Sequence, residues 1–338
     1  MPERQGTYTI KLNSSPSVLC YAAVASKKES EGPMASYIDI LNQDSMFGQT
    51  TWEKAESRMQ QEVAEKALSK GNLSPTQIDC MFAGDLLNQC IGSHYGLRDL
   101  GIPLVGVYSA CATMAQSLGL AALFVESNAA ANALAVTSSH FCSAERQFRF
   151  PLEYGGQRTP TSQWTATGAG AAVVGASTAP PYVKAVQFGS ILDKGVKDIN
   201  NMGAAMAPAA AQTISRYFQD TMTGPDNYDL ILTGDLAAVG SQLLIQLLER
   251  DGYKMGKKHG DCGLMIYDRD IQSEVNAGGS GCGCSATVLC SYIMQSMREG
   301  KINNLLFVAT GALMSTVSVQ QKESIPAVAH LVHLSTTP

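Results

Sequence analysis

A cysteine at the start of an apolar helix is the strongest candidate for chemistry in this 338-residue sequence. Cys111 lies in the segment SACATMAQSLGLAALFV, residues 109–125, where a turn of small residues precedes a long apolar run. The pattern predicts that Cys111 belongs to the first turn of the helix, where unpaired N–H groups and the helix dipole lower a thiol pKa. The position suits a nucleophile or an anion-binding site. The alternative is a buried cysteine that packs as a small apolar side chain.

A repeated segment indicates that the elements which position Cys111 are duplicated. Residues 78–86 read IDCMFAGDL and residues 228–236 read YDLILTGDL, which aligns Asp79 with Asp229 and Asp85 with Asp235. Each copy follows a helical segment and a proline-containing loop, and the helical segments lie at 52–70 and 206–221. The elements that precede the two segments are therefore repeated along with the segments themselves.

Each copy also leads, through a small-residue turn and a helix, to a β-run. These runs are LAVTSS at 134–139 and LFVATG at 306–311, an offset of 172. That offset places Cys111 opposite Gly283, and a shift of one residue places it opposite Cys282, so the sequence leaves both alignments open. The sequence nevertheless predicts that the chain is a tandem of two similar halves.

The predicted fold is α/β, with two pseudo-symmetric halves in layers. Helical segments alternate with β-runs such as 104–108, 171–175, 229–233 and 305–309, as expected of sheets covered by helices. We assign residues 1–177 to the first half, with a loop region at 139–165, and residues 178–338 to the second half.

Composition narrows the classes of partner. Hydrophobic residues make up 45% and charged residues 16% of the chain, which is typical of a globular protein. The net charge of −5 and scattered basic residues argue against nucleic-acid binding. Nine cysteines without a repeated spacing or a secretory leader predict reduced thiols, and neither a metal site nor a signal peptide is expected. No apolar run approaches the ~20 residues of a membrane span, so membrane association is expected to be peripheral.

As an anion site, the turn around Cys111 would combine two helix N-termini. The helices that start after 109–111 and after 280–285 are expected to converge, and each would offer N–H groups to a carboxylate. Ser109, Ser280 and Cys282 are candidate ligand contacts, and glycines at 278, 279, 281 and 283 would let the backbone approach closely. A planar diacid would suit this arrangement.

A bound diacid also needs positive charge. Arg146 and Arg149, in the run ERQFRF, are candidates for bidentate carboxylate contacts, and the alternative is a salt bridge to Glu145 or Glu153. His140 would contribute if it is protonated, and His259 is a further candidate, with a structural role as its alternative.

The repeated aspartates bear on the same question. Asp85 and Asp235 are expected first to cap helices. As ligand contacts, of which Asp85 is the stronger candidate, they would repel a diacid unless they were protonated or bridged by a cation such as calcium.

The duplicated halves, with a cysteine before a buried helix in the first half, resemble the thiolase and β-ketoacyl synthase superfamily. SACATM at 109–114 is similar to the nucleophile turn of those enzymes. TGAGAAVV at 167–174 is similar to their glycine-rich late strand, although Ala169 stands where ketosynthases usually carry aspartate. The resemblance implies a thiolase-like fold with αβαβα layers, and superfamily relatives imply a homodimer.

The partners that this chemistry requires do not appear at the expected positions. A condensing enzyme of this type uses two further side chains, His with His or His with Asn, besides the cysteine. After the β-run at 229–233 the sequence reads Gly234 and Asp235, and the later turn reads GGSGCGCS at 278–285. The sequence therefore predicts that Cys111 is a vestigial nucleophile and that the protein is not an enzyme. An acyl transferase that uses Cys111 with an atypical base is the alternative.

Several longer motifs resemble a family of thiolase-like sporulation proteins. They are AGDLLNQ (83–89), TSSH (137–140), AERQFRFPLEYGGQ (144–157), LILTGDL (230–236), HGDCGLMIY (259–267), AGGSGCGCSA (277–286) and QQKESIPAVAH (320–330). This resemblance implies binding of dipicolinic acid, pyridine-2,6-dicarboxylic acid, either without a cofactor or together with calcium. It also implies uptake of that acid into the developing spore together with integral membrane proteins of the same operon.

The same resemblance implies a location in the forespore and spore, peripheral at the inner spore membrane, and a link to germination. A structural scaffold of a spore-membrane complex is a further alternative.

Overall fold

The computed structural model describes residues 1–148 and 158–338, which form fifteen strands and eleven α-helices. The strands are β1 (Glu3–Gln5), β2 (Thr9–Lys11), β3 (Ser17–Ala25), β4 (Ile40–Leu41), β5 (Cys80–Gly84), β6 (Leu104–Gly106), β7 (Asn132–Ser139), β8 (Trp164–Thr165), β9 (Gly168–Gly175), β10 (Tyr182–Phe188), β11 (Leu230–Thr233), β12 (His259–Asp261), β13 (Gly279–Ser280), β14 (Asn304–Ala312) and β15 (Ala327–Ser335). The helices are α1 (Lys27–Ser30), α2 (Trp52–Lys70), α3 (Ile91–Leu97), α4 (Thr113–Glu126), α5 (Phe141–Phe148), α6 (Met202–Thr221), α7 (Ala237–Arg250), α8 (Cys262–Met265), α9 (Cys282–Val288), α10 (Met294–Arg298) and α11 (Thr316–Gln320).

Two sets of five strands have the same order and the same directions. In the first set the order is β3-β9-β7-β5-β6, and in the second it is β10-β15-β14-β11-β12. In both sets the first two neighbouring pairs are antiparallel and the last two are parallel. The sets meet where Tyr182 of β10 pairs with Ser17 of β3. This repetition confirms the predicted fold of two pseudo-symmetric halves.

Helices cover both faces of each set of strands. On one outer side, α2 packs on the first set, and its buried residues Ala55, Met59, Val63 and Ala67 follow the predicted helical spacing. On the other outer side, α6 and α7 pack on the second set. Between the sets lie α4 and α9, and α4 contacts strands of both sets. The layers are therefore α, β, α, β, α, and the central helices are the most enclosed.

The aspartates near the start of the two repeated segments, which lie 150 residues apart, make the same hydrogen bonds. One carboxylate oxygen of Asp79 accepts from the N–H groups of Ala131 and Asn132, at 2.6 and 3.2 Å. The equivalent oxygen of Asp229 accepts from Asn303 and Asn304, at 2.7 and 3.0 Å. Because both pairs of N–H groups stand at the start of a central strand, these aspartates fix the entry of β7 and β14 in the two halves.

The long apolar helix begins later than the sequence pattern suggests. Its first residue is Thr113, so Cys111 lies two residues before the helix, in a turn, and not in the first helical turn. Ala110 adopts a left-handed φ of 48°, which bends the chain immediately before Cys111. In residues 1–148 and 158–338, none of the helices has the length and apolar character needed to cross a bilayer.

Candidate functional site

The turn that carries Cys111 is held by hydrogen bonds within it and by the second half. The N–H of Ala112 donates to the carbonyl of Ser109 at 3.0 Å. The hydroxyl of Thr113 accepts from the N–H of Ser109 at 3.1 Å and donates to the carbonyl of Ala110 at 2.6 Å. Across the interface, the backbone of Ser109 lies so close to Gly311 of β14 that a side chain there would clash. The turn is therefore fixed against the strands of the other half.

The thiol of Cys111 faces acidic and polar groups of the second half. Burial raises its pKa well above the ordinary value, and the neighbouring Asp235 carboxyl raises it further. Hydrogen bonds from Gly281 and Ser280 oppose this shift without reversing it. The predicted lowering of the Cys111 pKa is therefore wrong. The thiol is enclosed, with the residue 6% exposed, and an acid rather than a histidine stands beside it.

Asp235 joins the Cys111 turn to the start of α9. Its Oδ2 accepts from the N–H of Gly281 at 2.9 Å and from the hydroxyl of Ser280 at 3.3 Å. Burial raises the pKa of Asp235 to about 7, although the hydrogen bonds from Cys111 and Gly281 oppose the shift. Gly281, at a φ of 97°, precedes α9 in a conformation that favours glycine. The N–H of Gly281, at the helix start that was expected to bind a ligand, therefore already donates to Asp235.

A second buried acid, Asp261, caps the helix that follows Asp235. Its two oxygens accept from the N–H groups of Leu236 and Ala237 at 2.8 and 2.9 Å, and from Leu264 at 3.2 Å. The hydroxyl of Thr233 also donates to it, at 2.6 Å. Burial raises the pKa of Asp261 to about 6. The capping role predicted for Asp235 at its own helix thus belongs to Asp261, and Asp235 serves α9 instead.

Asp85, the partner of Asp235 in the repeat, does cap its own helix. It is fully buried and accepts from the N–H of Leu87 at 2.9 Å and from the N–H and hydroxyl of Ser93 in α3, at 2.7 and 2.6 Å. Glu56 of α2 lies next to it, and burial together with the Asp85 charge raises the pKa of Glu56 to about 8. Ser138 and Ser143 donate to Glu56 at 2.9 and 2.7 Å. The region therefore holds a second pair of acids.

Four predicted contacts meet at this junction. Cys282, the first residue of α9, is fully buried, and its thiol donates to the carbonyl of Ser138 at 3.0 Å. Burial and then the charge of Cys111 raise the pKa of Cys282. On the other side of the turn, Ser109 bonds Nε2 of His330 at 3.0 Å. The structure thus brings together Ser109, Cys111, Ser280 and Cys282, with Asp85 close to Cys282.

The remaining predicted contacts lie elsewhere. His140 is buried, with its Nε2 bonded to the carbonyl of Ser45 at 2.8 Å and its Nδ1 to the N–H of Cys142 at 3.2 Å, and burial lowers its pKa. Arg146 forms an ion pair with Glu53.

His259 bonds the hydroxyl of Thr233 at 2.9 Å, and burial lowers its pKa to about 4. A neutral imidazole offers no positive charge to a diacid, so neither His140 nor His259 supplies the cation that was expected. Arg149 lies outside the described residues.

Sequence reasoning missed Asp235 as the neighbour of the thiol, and it missed His330 as the partner of Ser109. The repeat aligned Asp235 with Asp85, but it gave no sign that the Asp235 carboxyl lies next to Cys111 of the other half. Burial lowers the pKa of His330 to about 4, and the N–H of Gly189 donates to its Nδ1 at 3.1 Å. It is therefore a neutral ring that donates from Nε2 to Ser109.

The chemistry available at Cys111 is limited by these neighbours. Among the described residues, none of the histidine hydrogen bonds reaches the Cys111 thiol, and all nine cysteines are free thiols. The described part of the chain also contains no group of three or more His, Cys, Asp or Glu side chains that could hold a metal ion. The junction is thus a closed, acidic, hydrogen-bonded site, which suits neither thiolate formation nor a dianion.

The strand order, the layers and a cysteine turn at the centre define a thiolase-like protein. The chain is similar to 3-oxoacyl-[acyl-carrier-protein] synthase III from Aquifex aeolicus VF5, with a TM-score of 0.56, 13% identity and coverage of 95% of this chain and 99% of that one. It is also similar to acetamide-bound OleA from Xanthomonas campestris, with a TM-score of 0.58, 13% identity and coverage of 95% and 98%. These likenesses establish the fold.

Sequence comparison identifies the family. The Stage V sporulation protein AD (SpoVAD) family model matches residues 6–335. Stage V sporulation protein AD of Bacillus subtilis (strain 168) is 46% identical over 306 residues, which is 90% of each chain. The chain therefore belongs to the Stage V sporulation protein AD family, and it is a sporulation protein with a thiolase-like fold.

Proposed function

We propose that the chain is a non-catalytic thiolase-fold protein that binds dipicolinic acid and takes part in its uptake into the developing spore. In this proposal it works as a homodimer with integral membrane proteins of the same operon, peripheral at the inner spore membrane. Membership of the sporulation family supports the setting. The observation that carries the non-catalytic part is the contact between Cys111 and Asp235.

A carboxyl beside the thiol acts against nucleophilic catalysis. Cysteine enzymes keep a thiolate by placing a cation such as imidazolium next to the sulfur. Here burial and the Asp235 carboxyl raise the pKa of Cys111, so the thiol stays protonated at neutral pH. The loss of general acid–base assistance by itself slows a reaction by a factor of about 10²–10⁴. The inherited site is thereby turned into a structural junction.

Calorimetric titration tests the binding function. Purified full-length protein is titrated with dipicolinate, with and without calcium, and saturable heat is expected. Calcium is included because a dicarboxylate and a carboxyl-rich protein can share that ion. Absence of saturable heat at millimolar dipicolinate in both conditions would overturn the proposal.

Acyl transfer is the second candidate, and the same contact favours it to a limited degree. Asp235, with a pKa raised by burial to about 7, is half ionised near neutral pH and lies next to the thiol, so it is a candidate base at the site. Incubation with acyl-coenzyme A donors, followed by intact-mass measurement, separates the two functions. The non-catalytic proposal expects no adduct on Cys111, and an adduct that disappears in Cys111→Ala would favour the enzyme.

A further inference from the structure

A separate cavity opens just after the end of β3, and none of its lining residues belongs to the Cys111 junction. It has a volume of about 300 Å³ and is bordered by residues 26–29 and 31, by the start of α5 at residues 140–142, and by Ser45, Trp164 and Thr167. Ligand pockets start at about this size, so the cavity suits a small molecule and not a large cofactor.

Aromatic rings and cations occur together at this cavity. The rings of Phe141 and Trp164 stack with their centroids 4.1 Å apart and an angle of 19° between them. The ammonium of Lys28 lies 4.5 Å from the centre of the Trp164 ring, and the guanidinium of Arg158 lies 5.2 Å from the centres of both rings. Arg158 forms an ion pair with Glu145, and the lining also includes Glu29 and Glu31, so the positive charge available to a ligand comes from Lys27 and Lys28. The site therefore offers a flat apolar wall with two lysines beside it, a combination that suits an aromatic anion.

The two lysines differ in how they are engaged. Lys28 forms an ion pair with Glu274. Lys27 is exposed, and within residues 1–148 and 158–338 it has no carboxylate within ion-pair distance. An incoming carboxylate would pair with Lys27 without displacing a protein group. Substitution of Lys27 therefore removes a charge without breaking an ion pair of the described structure, whereas substitution of Lys28 also breaks its ion pair with Glu274.

A buried carboxyl at the cavity has one oxygen without a partner. Glu29 is fully buried; its Oε1 accepts from the N–H of Thr167 at 3.0 Å and from the hydroxyl of Tyr267, while its Oε2 has no hydrogen-bond partner. Burial raises the pKa of Glu29, which favours the protonated form. Glu29 is therefore a buried carboxyl behind the cavity lining, with one oxygen that is not hydrogen-bonded within the described residues.

We infer that this cavity binds a small planar aromatic carboxylate, with Lys27 and Lys28 pairing with its carboxylate groups and Trp164 flanking its ring. The inference rests on the proposed function, since it locates the binding of the aromatic diacid. It moves that binding from the acidic junction at Cys111 to a cavity whose lysines carry the opposite charge. A molecule with two carboxylates presents acceptors to Lys27 and Lys28 alike.

The chain supplies its own optical reporter for this site. Its two tryptophans are Trp52 and Trp164, and Trp52 lies in α2 beneath the guanidinium of Arg146. Trp52→Phe leaves Trp164 as the single tryptophan, and dipicolinate is expected to change its emission saturably. Trp164→Phe leaves Trp52, whose emission is expected to change only in proportion to ligand absorbance.

Charge removal supplies the quantitative test. In the Trp52→Phe background, Lys27→Ala is expected to weaken dipicolinate binding about tenfold, because a charge-assisted hydrogen bond is lost. Lys54→Ala, which removes an exposed lysine of α2 away from the cavity, is the matched control and is expected to leave the dissociation constant within about twofold. Pyridine-2-carboxylate, with one carboxylate, is expected to bind about tenfold more weakly than the diacid. Circular dichroism of each variant confirms that it is folded.

The outcomes separate this inference from the proposed function. Saturable binding that Lys27→Ala and Lys28→Ala leave unchanged, but that Ser280→Ala abolishes, would overturn the cavity and leave dipicolinate binding intact. Absence of saturable binding to the unaltered protein would overturn the proposed function itself, and the cavity assignment with it. Weakening by both lysine variants, with the Lys54→Ala control unchanged, supports the cavity.

Discussion

Replacing Asp235 with asparagine should make the protein more stable at neutral and alkaline pH. The carboxyl is fully buried, and its Oδ1 has no hydrogen-bond partner in the described structure, whereas Oδ2 accepts from Gly281 at 2.9 Å. An asparagine of nearly the same shape keeps an oxygen for Gly281 and places its NH2 group where Oδ1 stands. The substitution therefore removes a charge without opening a cavity.

The size of the effect follows from the two pKa values. Burial raises the pKa of folded Asp235 to about 7, whereas an unfolded aspartate titrates at about 3.9. Its contribution to stability is thus fully present below about pH 3.9 and is lost as the pH rises through about 7. At about 1.4 kcal/mol per pH unit, the loss reaches about 4 kcal/mol by pH 8. Asp235→Asn has no such loss.

Urea unfolding of both proteins between pH 5 and pH 8 measures this difference. The free energy of unfolding of Asp235→Asn, minus that of the unaltered protein, should rise by about 1.4 kcal/mol per pH unit up to about pH 7 and then level off. Glu56→Gln is the companion variant. Because burial raises the pKa of Glu56 to about 8, its difference should keep rising to about pH 8. A difference for Asp235→Asn that is flat across this range would refute the reasoning.

Three further predictions concern the same elements. Cys111 should react with iodoacetamide at pH 8 at least about tenfold more slowly than glutathione, because burial and Asp235 raise its pKa, and peptide mass spectrometry would contradict this if the rates were equal. Asp261→Ala should cost about 3 kcal/mol in urea unfolding, because it leaves the N-termini of α7 and α8 without their cap; a cost below about 1 kcal/mol would argue against that role. Asp79→Ala and Asp229→Ala should each cost about 1 kcal/mol, since they remove equivalent bonds from β7 and β14, and a large inequality between them would contradict the equivalence of the halves.

The fold could be predicted from the sequence because its signals are local and repeated. The segments that begin at Ile78 and Tyr228 share an aspartate, a β-run and a Gly-Asp ending, and these encode the same strand entries in both halves. Helical spacing in α2 was equally readable, since each turn places an apolar residue against the strands. Such patterns can be recognised without knowing which elements contact one another in the folded protein.

The electrostatics of the site could not be predicted in the same way. The sequence shows that Cys111 precedes a helix, which lowers a thiol pKa, but the opposing contributions come from burial and from Asp235 in the other half. Arg146 likewise pairs with Glu53 of α2, although Glu145 is its neighbour in the sequence. Charges act through space, so their partners follow from packing and not from spacing along the chain.

The distribution of buried charge bears directly on where a dianion can bind. Around Cys111 and Cys282 lie the acids Glu56, Asp85 and Asp235, and each has a pKa that burial raises, because desolvation disfavours its charged form. A doubly negative ligand placed there would raise those pKa values further and would force the uptake of protons. At the cavity of Lys27 and Lys28 the same ligand would meet two cations, which offset the repulsion from Glu29 and Glu31 in the lining. A thiolase-like fold can thus keep its central cysteine turn as a structural junction while ligand binding depends on a different part of the first half.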